Sequence, residues 1–291
     1  MNNKKKAILV VSFGTSYTEA RIASIEKIEQ EIATAFPEYE IYHAWTSKMI
    51  LSVLRKREGL TISTVKESME QMIQDEITEL IVQPTHILDG IENNTMKEEV
   101  LSYKEYFQSV VFGAPLLSTE QDKLSVIKAI ADEFPDLGSN DALVLMGHGT
   151  SHKVNSVYTQ LNKDFKSIGY PNFFLGTVEA DPTIQDLVTE VQAFHPSKVI
   201  LTPFMIVAGN HAHNDMAGTD PDSWLWQFRN AGNQVCPVLK GLGEYPGIRA
   251  VFIEHIQEAV SNSSGYSQSA SLLAHNRITA SQFIRRSLHS S

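Results

Sequence analysis

The hydrophobic pattern of this chain alternates between short apolar runs and longer amphipathic stretches, and this alternation limits the folds that it can adopt. Eight runs have the length and composition of buried strands: residues 7–13, 40–44, 80–83, 110–112, 142–146, 172–175, 199–202 and 235–238. Between the first two, isoleucines recur at steps of three and four residues, at Ile25, Ile28 and Ile32. That spacing is typical of a helix with one apolar face. Alternating strands and helices predict an α/β fold whose parallel sheets carry helices on both faces.

Two segments of the first half of the chain recur in the second half. LVVSFGTS at 9–16 matches VLMGHGTS at 144–151, and LIVQPTHILDGIE at 80–92 matches VILTPFMIVAGNH at 199–211. We interpret these matches as two copies of one βα unit. They predict two similar doubly wound parallel-sheet domains that face each other across a cleft.

The two copies divide the chain into segments. The N-terminal domain is expected at 1–122 and the C-terminal domain at 123–245, and a helix at 246–260 is expected to pack back on the first domain. The last segment, 261–291, is rich in serine, contains no aspartate or glutamate and lacks periodicity. We expect it to be disordered or an artificial extension.

Three residues that can bind a metal each follow an apolar run of the second half. They are His148 in VLMGHGTS, Glu179 in FFLGTVEADP and His211 in VILTPFMIVAGNH. Ligands collect outside the carboxyl ends of parallel strands, so these side chains are expected to lie close together. Two imidazoles and a carboxylate suit a divalent transition metal. The alternative is that the histidines are structural, although the glycines on both sides of His148 favour close approach of a ligand.

The two copies differ at the positions of the candidate metal ligands. Phe13 occupies the position of His148, and Glu92 occupies that of His211. These replacements fall at strand ends, where the fold does not require them. We infer that the second half carries the metal and that the first half contributes a carboxylate and an aromatic ring.

Net charge and cysteine content exclude several classes of function. A formal net charge of −10 and a pI near 5.5 argue against binding to nucleic acid or to an anionic membrane surface. The single cysteine, Cys236, rules out an internal disulfide and a thiolate metal cluster. Because Cys236 lies in the apolar run QVCPVL, we expect its thiol to be buried.

The sequence contains no nucleotide-binding or membrane-targeting signal. Neither a GxGxxG fingerprint nor a GxxxxGK[ST] loop occurs, so no nucleotide cofactor is expected. The apolar stretch at 7–11 is shorter than the core of a signal peptide, and no apolar run is long enough for a transmembrane helix. We expect a cytoplasmic protein, and the sequence leaves open whether it forms a homo-oligomer.

Several motifs together resemble one known family of enzymes. LVVSFGTS, VLMGHGTS, GTVEADP and MIVAGNHAHNDMAG occur in the order and spacing found in the anaerobic cobalt chelatases of the CbiK family, which are sirohydrochlorin cobaltochelatases of the class II chelatase group. The resemblance extends over about residues 5–260. It implies two chelatase-like α/β domains, a cleft for an octacarboxylate tetrapyrrole of the sirohydrochlorin type, and insertion of Co2+ without ATP.

The resemblance also implies roles for individual residues. The metal-binding residues of the family correspond to His148, Glu179 and His211, and His148 is also the expected proton acceptor. The acidic cleft residue of the family's first half corresponds to Glu92. His213, the second histidine of NHAHND, lies outside this pattern and is interpreted as a surface or supporting residue.

A substrate with many carboxylates requires local positive charge in an acidic protein. Lysines and arginines cluster in one short segment, at Lys48, Arg55, Lys56 and Arg57. The planar guanidinium group matches a carboxylate well, so arginines of this segment are candidates for binding the propionate and acetate groups. The alternative is a solvated helix face. The residues expected to bind the tetrapyrrole are Phe13, Gly14, Thr15, Arg55 and Arg57.

Other functions remain open at this point. The same ligand set accepts Fe2+, Ni2+ or Zn2+, so the protein could be a chelatase for another metal. A zinc hydrolase is disfavoured because HExxH and its reverse are absent. A non-catalytic tetrapyrrole or metal carrier would need the binding residues but no base. A single imidazole nitrogen of His148 cannot hold the metal and accept a pyrrole proton at the same time. Either His148 binds the metal first and acts as a base after releasing it, or the metal-bound state is off the reaction pathway, and the sequence leaves both open.

Overall fold

A computed structural model of the chain, which describes residues 5–262, contains two four-stranded parallel sheets. The strands of the first sheet are β1 (Lys6–Ser12), β2 (Glu40–Trp45), β3 (Glu79–Pro84) and β4 (Ser109–Phe112). Those of the second sheet are β5 (Ala142–Gly147), β6 (Phe173–Thr177), β7 (Val199–Phe204) and β8 (Val235–Pro237). All eight coincide with the predicted runs, which confirms the α/β fold with two parallel sheets.

Helices connect the strands. They are α1 (Thr18–Ala23), α2 (Ile25–Ala35), α3 (Lys48–Glu58), α4 (Val65–Gln74), α5 (Ile91–Leu101), α6 (Glu120–Glu133), α7 (Ser156–Ser167), α8 (Ile184–Phe194) and α9 (Trp224–Asn230). A last helix, α10, covers 246–262. Among residues 5–262, no helix is both long enough and apolar enough to cross a bilayer. Of the C-terminal segment predicted as a tail, residues 263–291 lie outside the described part of the chain.

The two sheets are copies of one arrangement. Their strand orders are β2-β1-β3-β4 and β6-β5-β7-β8, so the first strand of each copy lies in the centre. The registers agree as well, because Val11 is paired with Pro84 in the first sheet and Met146 with Pro203 in the second. These pairs occupy equivalent positions in the two sequence matches, which supports the internal repeat.

The core of the molecule joins the two sheets. Ile8 of β1 and Leu143 of β5 belong to one cluster of buried side chains, which also contains residues of α2, α6, α7 and α10. The opposite faces are covered separately: Leu9 packs with α4 and α5, and Val144 packs with α8 and α9. Each central strand is therefore buried on both sides, and the two halves share one hydrophobic layer.

Two local features concern the predicted segments. Helix α10 contacts the first half, where Arg249 forms a 2.9 Å ion pair with Glu31 and the His255 Nδ1–H donates to the Ala114 carbonyl. The prediction that Cys236 is buried is wrong, because its side chain is exposed. Strand β8 is a three-residue edge strand, and only Val235 points into the core.

Candidate metal site

Three candidate ligands meet at the carboxyl end of the second sheet. One ligand atom each from His148, Glu179 and His211 lies within 4.8 Å of the other two. The rings of the two histidines are perpendicular, with centroids 4.6 Å apart, and His148 Nδ1 lies 3.7 Å from a Glu179 carboxylate oxygen. The side chains of His148 and Glu179 are 48% and 55% exposed, and that of His211 is 30% exposed. The site therefore opens to solvent.

Backbone hydrogen bonds beyond the ends of β5 and β6 hold the first two ligands together. The Val178 N–H donates to the Gly147 carbonyl, and the Glu179 N–H donates to the His148 carbonyl at 2.9 Å. The pairing of the two strands thus continues to the ligand residues themselves. The His148 Nδ1–H donates to the Gly149 carbonyl at 3.0 Å, which leaves the lone pair on Nε2.

Gly149 is required by this arrangement. Its φ of +86° lies in the left-handed region that favours glycine, and a Cβ atom at this position would lie 2.8 Å from Thr177 Oγ1 and 2.9 Å from the Ala180 nitrogen. The His148 loop and the Glu179 loop are in direct contact here. A larger residue would separate them and the two ligands that they carry.

The third ligand precedes an unusual helical turn. His211 follows the loop after β7 and is succeeded by a π-helical turn, Ala212–Met216. Ala212 and Met216 are fully buried and anchor the turn in the core of the second half. The His211 Nδ1–H donates to the Asp215 carboxylate at 2.6 Å, a contact that the sequence pattern did not indicate.

Glu92 of the first half is near enough to the candidate ligands for their charges to affect its pKa. It occupies the first turn of α5, which follows β3 of the first half. Desolvation raises the pKa of its carboxyl group; the His148 charge opposes this rise, and the Glu179 carboxylate adds to it. Both groups belong to the candidate metal site, so residues of the two halves face each other here.

The loop after β1 contains the other candidates from the first half. Phe13 is exposed, whereas Thr15 is buried and its Oγ1 accepts a hydrogen bond from the Tyr17 N–H. Gly14 has a φ of +102°, and a Cβ there would lie 2.4 Å from the ring of Trp45. The structure therefore gives Gly14 and Thr15 a part in shaping the loop.

Two contacts join this loop to the second half. The rings of Tyr17 and His213 stack with centroids 4.5 Å apart. A Cβ at Gly209 would lie 3.3 Å from Thr15 Oγ1, so the loop before His211 passes closely over the loop after β1. His213 thus makes a contact between the halves.

The basic segment of α3 divides into two environments. Arg57 donates to the Ser16 carbonyl and pairs with Glu58, so its guanidinium group is occupied. Lys48 and Arg55 line a cavity of about 240 Å3. Neither has a salt-bridge partner in the part of the chain that the structure describes.

Comparison with known proteins identifies close relatives of the whole described chain. The family model described as Cobalt chelatase (CbiK) matches residues 6–261. The chain is 36% identical to the sirohydrochlorin cobaltochelatase of Salmonella typhimurium over 256 residues, which cover 88% of this chain and 97% of that protein. It is 30% identical to the sirohydrochlorin cobaltochelatase CbiKC of Nitratidesulfovibrio vulgaris, with 88% and 91% of the two chains covered. The structure of SirB from Bacillus subtilis with Fe3+ superimposes with a TM-score of 0.62 at 18% identity, covering 90% of this chain and 98% of SirB.

Proposed function

Because the chain belongs to the cobalt chelatase (CbiK) family, we propose that it inserts Co2+ into sirohydrochlorin without ATP. The observation that carries this proposal is that His148, Glu179 and His211 lie together at one solvent-exposed point. The pKa of Glu92, from the other half, is affected by the charges of His148 and Glu179. Metal, macrocycle and proton acceptors can therefore meet in one place. The metal is a substrate, so its site must both bind and release it.

The donor set suits a metal that is passed on. Three protein ligands leave coordination positions for water or for the ring nitrogens, as in catalytic sites. Imidazole and carboxylate donors bind Co2+, Fe2+, Ni2+ and Zn2+, and thiolates, which would retain the metal more firmly, are absent from the cluster. Affinity alone favours Ni2+ over Co2+, so the preference for cobalt depends on supply and on the fit of the macrocycle.

Two pyrrole protons must leave when the metal enters the ring. His148 binds the metal through Nε2, releases it to the ring nitrogens and then accepts one proton with the freed lone pair. An imidazole nitrogen with a free lone pair is a common proton acceptor in enzymes. Glu92 accepts the second proton. Desolvation raises the pKa of Glu92, which makes its carboxylate a better proton acceptor.

The first half offers an apolar surface for the flat ring. Phe13 follows β1 directly, Met49 lies in the first turn of α3 after β2, and Ile91 begins α5 after β3; they are 44%, 73% and 55% exposed. The three strands are neighbours in the sheet. Large apolar side chains that are exposed where the chain leaves adjacent parallel strands are candidates for a ligand surface. In the proposed complex the macrocycle rests on these three side chains and presents its nitrogens to the metal ligands.

Two functions from outside this proposal are kept as alternatives. A chelatase for Fe2+ or Ni2+ would use the same ligands. A non-catalytic tetrapyrrole or metal carrier would need no proton acceptor, and the raised pKa of Glu92 beside the cluster favours an enzyme over a carrier.

The test is an anaerobic absorbance assay of sirohydrochlorin with Co2+, Fe2+ and Ni2+ in parallel. The wild type is expected to accelerate Co2+ insertion over the protein-free rate. His148→Ala is expected to lower kcat/KM by about 100-fold or more, since it removes a ligand and a proton acceptor. His43→Ala, at an exposed position on β2, is the control and is expected to retain full activity. No acceleration with any of the three metals would eliminate the chelatase function.

The role of Glu92 is tested separately. Glu92→Gln is expected to lower kcat by about tenfold or more while leaving the affinity for Co2+ nearly unchanged. Glu98→Gln, at an exposed position of the same helix, is the matched control. Wild-type kcat in Glu92→Gln would remove Glu92 from the reaction.

A further inference from the structure

Asp215 forms a close contact with one of the candidate metal ligands. Its carboxylate oxygen lies 2.6 Å from His211 Nδ1, within the turn that begins directly after His211. The carboxylate can only accept, so the proton of the imidazole is on Nδ1. The lone pair is then on Nε2, the nitrogen left for a metal.

We propose that Asp215 is a positioning residue that makes His211 a stronger metal ligand than His148. This inference rests on the metal site of the proposed function. A carboxylate that accepts from an imidazole N–H fixes the tautomer and the orientation of the ring and makes the other nitrogen a stronger donor. Asp215 itself does not touch the metal.

The two histidines of the site have different partners. His211 donates to a carboxylate at 2.6 Å, whereas His148 donates to the neutral carbonyl of Gly149 at 3.0 Å. A charged acceptor gives the stronger hydrogen bond and the more strongly donating imidazole. His211 therefore retains the metal while His148 detaches from it, which frees the His148 nitrogen to accept a proton.

The backbone holds Asp215 in this position. Ala212 and Met216, one on each end of the turn, are fully buried. Gly218 closes the turn: a Cβ there would lie 2.1 Å from the Asn214 carbonyl oxygen, so only glycine allows this approach. The carboxylate is thus placed by a turn that is itself fixed in the core.

The proposal is tested by Co2+ binding to the protein without tetrapyrrole, followed by the d–d absorption of the bound ion. Asp215→Asn is expected to weaken Co2+ binding by about 10- to 100-fold and to change the d–d spectrum. Asp215→Glu, which keeps the carboxylate, is expected to recover part of the affinity. Asp222→Asn, at an exposed aspartate after the turn, is the matched control. Thermal unfolding of each variant identifies any change that comes from misfolding.

A double variant separates positioning from a general structural effect. In the His211→Ala background, Asp215→Asn is expected to cause no further loss of Co2+ affinity, because its effect acts through His211. Additive losses, or wild-type affinity and spectrum in folded Asp215→Asn, would overturn the proposal. Since these measurements use the metal alone, they are independent of turnover. A protein whose Co2+ affinity depends on His211 and, through it, on Asp215, but which inserts no metal, would refute only the chelatase function.

Discussion

At the scale of single residues, Gly149, beside the candidate metal ligand His148, decides how closely two loops approach. Gly149 and Gly169 both have positive φ values, +86° and +102°, but only Gly149 has close neighbours where a Cβ would lie. Gly169 faces open space. The two positions therefore separate the cost of the backbone conformation from the cost of lost packing.

Replacing each glycine by alanine tests this separation. Gly169→Ala is expected to cost about 1 kcal/mol of unfolding free energy, because alanine is strained at positive φ. Gly149→Ala is expected to cost about 2–4 kcal/mol, since overpacking against Thr177 adds to the strain, and to weaken Co2+ binding as well. Urea unfolding and Co2+ titration measure the two effects. Equal costs for the two variants would show that the contact of the loops is not tight.

His86 illustrates how burial changes the pH dependence of stability. It lies buried in the loop after β3, and desolvation lowers its pKa to about 4. Between this pKa and the ordinary value near 6.5, the unfolded chain binds a proton that the folded chain does not bind. Stability is therefore lost as the pH falls through this range.

The contribution of His86 can be isolated with one variant. Between pH 7.5 and pH 5, the wild type is expected to lose about 2 kcal/mol more unfolding free energy than His86→Phe, which cannot titrate. Glu29 acts in the opposite direction, because burial raises its pKa to about 7, but it is present in both proteins and cancels. Urea unfolding across this pH range provides the measurement. Parallel pH profiles would mean that His86 is not desolvated in the folded protein.

At the scale of elements, the ends of equivalent strands in the two halves have the same pattern of backbone hydrogen bonds but different side chains. The Ser47 N–H donates to the Phe13 carbonyl in the first half, just as the Glu179 N–H donates to that of His148 in the second. The threonine hydroxyl groups of the two GTS loops also accept from the second residue after them in both halves. The same backbone arrangement thus presents candidate metal ligands in the second half and an aromatic ring in the first half.

We expect helix α3 of the first half to bind carboxylates of the substrate. Lys48, Arg55 and Glu67 line the cavity beside this helix, and the Glu67 carboxylate accepts hydrogen bonds from the N–H and hydroxyl groups of Thr64. Lys48→Gln and Arg55→Gln are each expected to raise the KM for sirohydrochlorin about three- to tenfold, with kcat little changed.

Lys56→Gln on the same helix is the control for this experiment. Lys56 does not line the cavity, so the KM of Lys56→Gln for sirohydrochlorin is expected to stay near the wild-type value. Steady-state kinetics at two salt concentrations distinguish a local contact from a general effect of charge. A similar change in all three variants would contradict a specific pocket. Arg57, which the sequence suggested for this role, is occupied by Glu58 and the Ser16 carbonyl.

The strands and the three candidate metal ligands could be predicted because short sequence patterns indicate them. Strands could be located because apolar runs alternate with helical periodicity, and His148, Glu179 and His211 could be selected because each follows such a run. Contacts that depend on exact backbone geometry could not be predicted. The pairing of Asp215 with His211 depends on the turn that follows His211, and the exposure of Cys236 depends on β8 being a short edge strand.

At the scale of the whole molecule, a shared hydrophobic layer joins the two sheets. Side chains of β1, β5 and α10 belong to one buried cluster, so part of the hydrophobic core is common to the two halves. The metal ligands and Glu92 belong to different halves, and this common core fixes their separation.

A shared core predicts that the two halves unfold together. Phe252 of α10 is fully buried in this cluster, and Phe252→Ala is expected to cost about 3–5 kcal/mol. Gln257→Ala, exposed on the same helix, is the control and is expected to have little effect. Because the chain has 3 tryptophans, Trp45 in the first half and Trp224 and Trp226 in the second, each half can be followed after Trp→Phe replacement in the other.

In urea, the tryptophan fluorescence of the two halves is expected to change with the same midpoint. Phe252→Ala is expected to lower both midpoints by the same amount, because it removes packing from both sheets at once. Separate midpoints, or a shift confined to one reporter, would show that each half is stable alone. The distance between Glu92 and the metal ligands would then depend on a movable interface rather than on a common core.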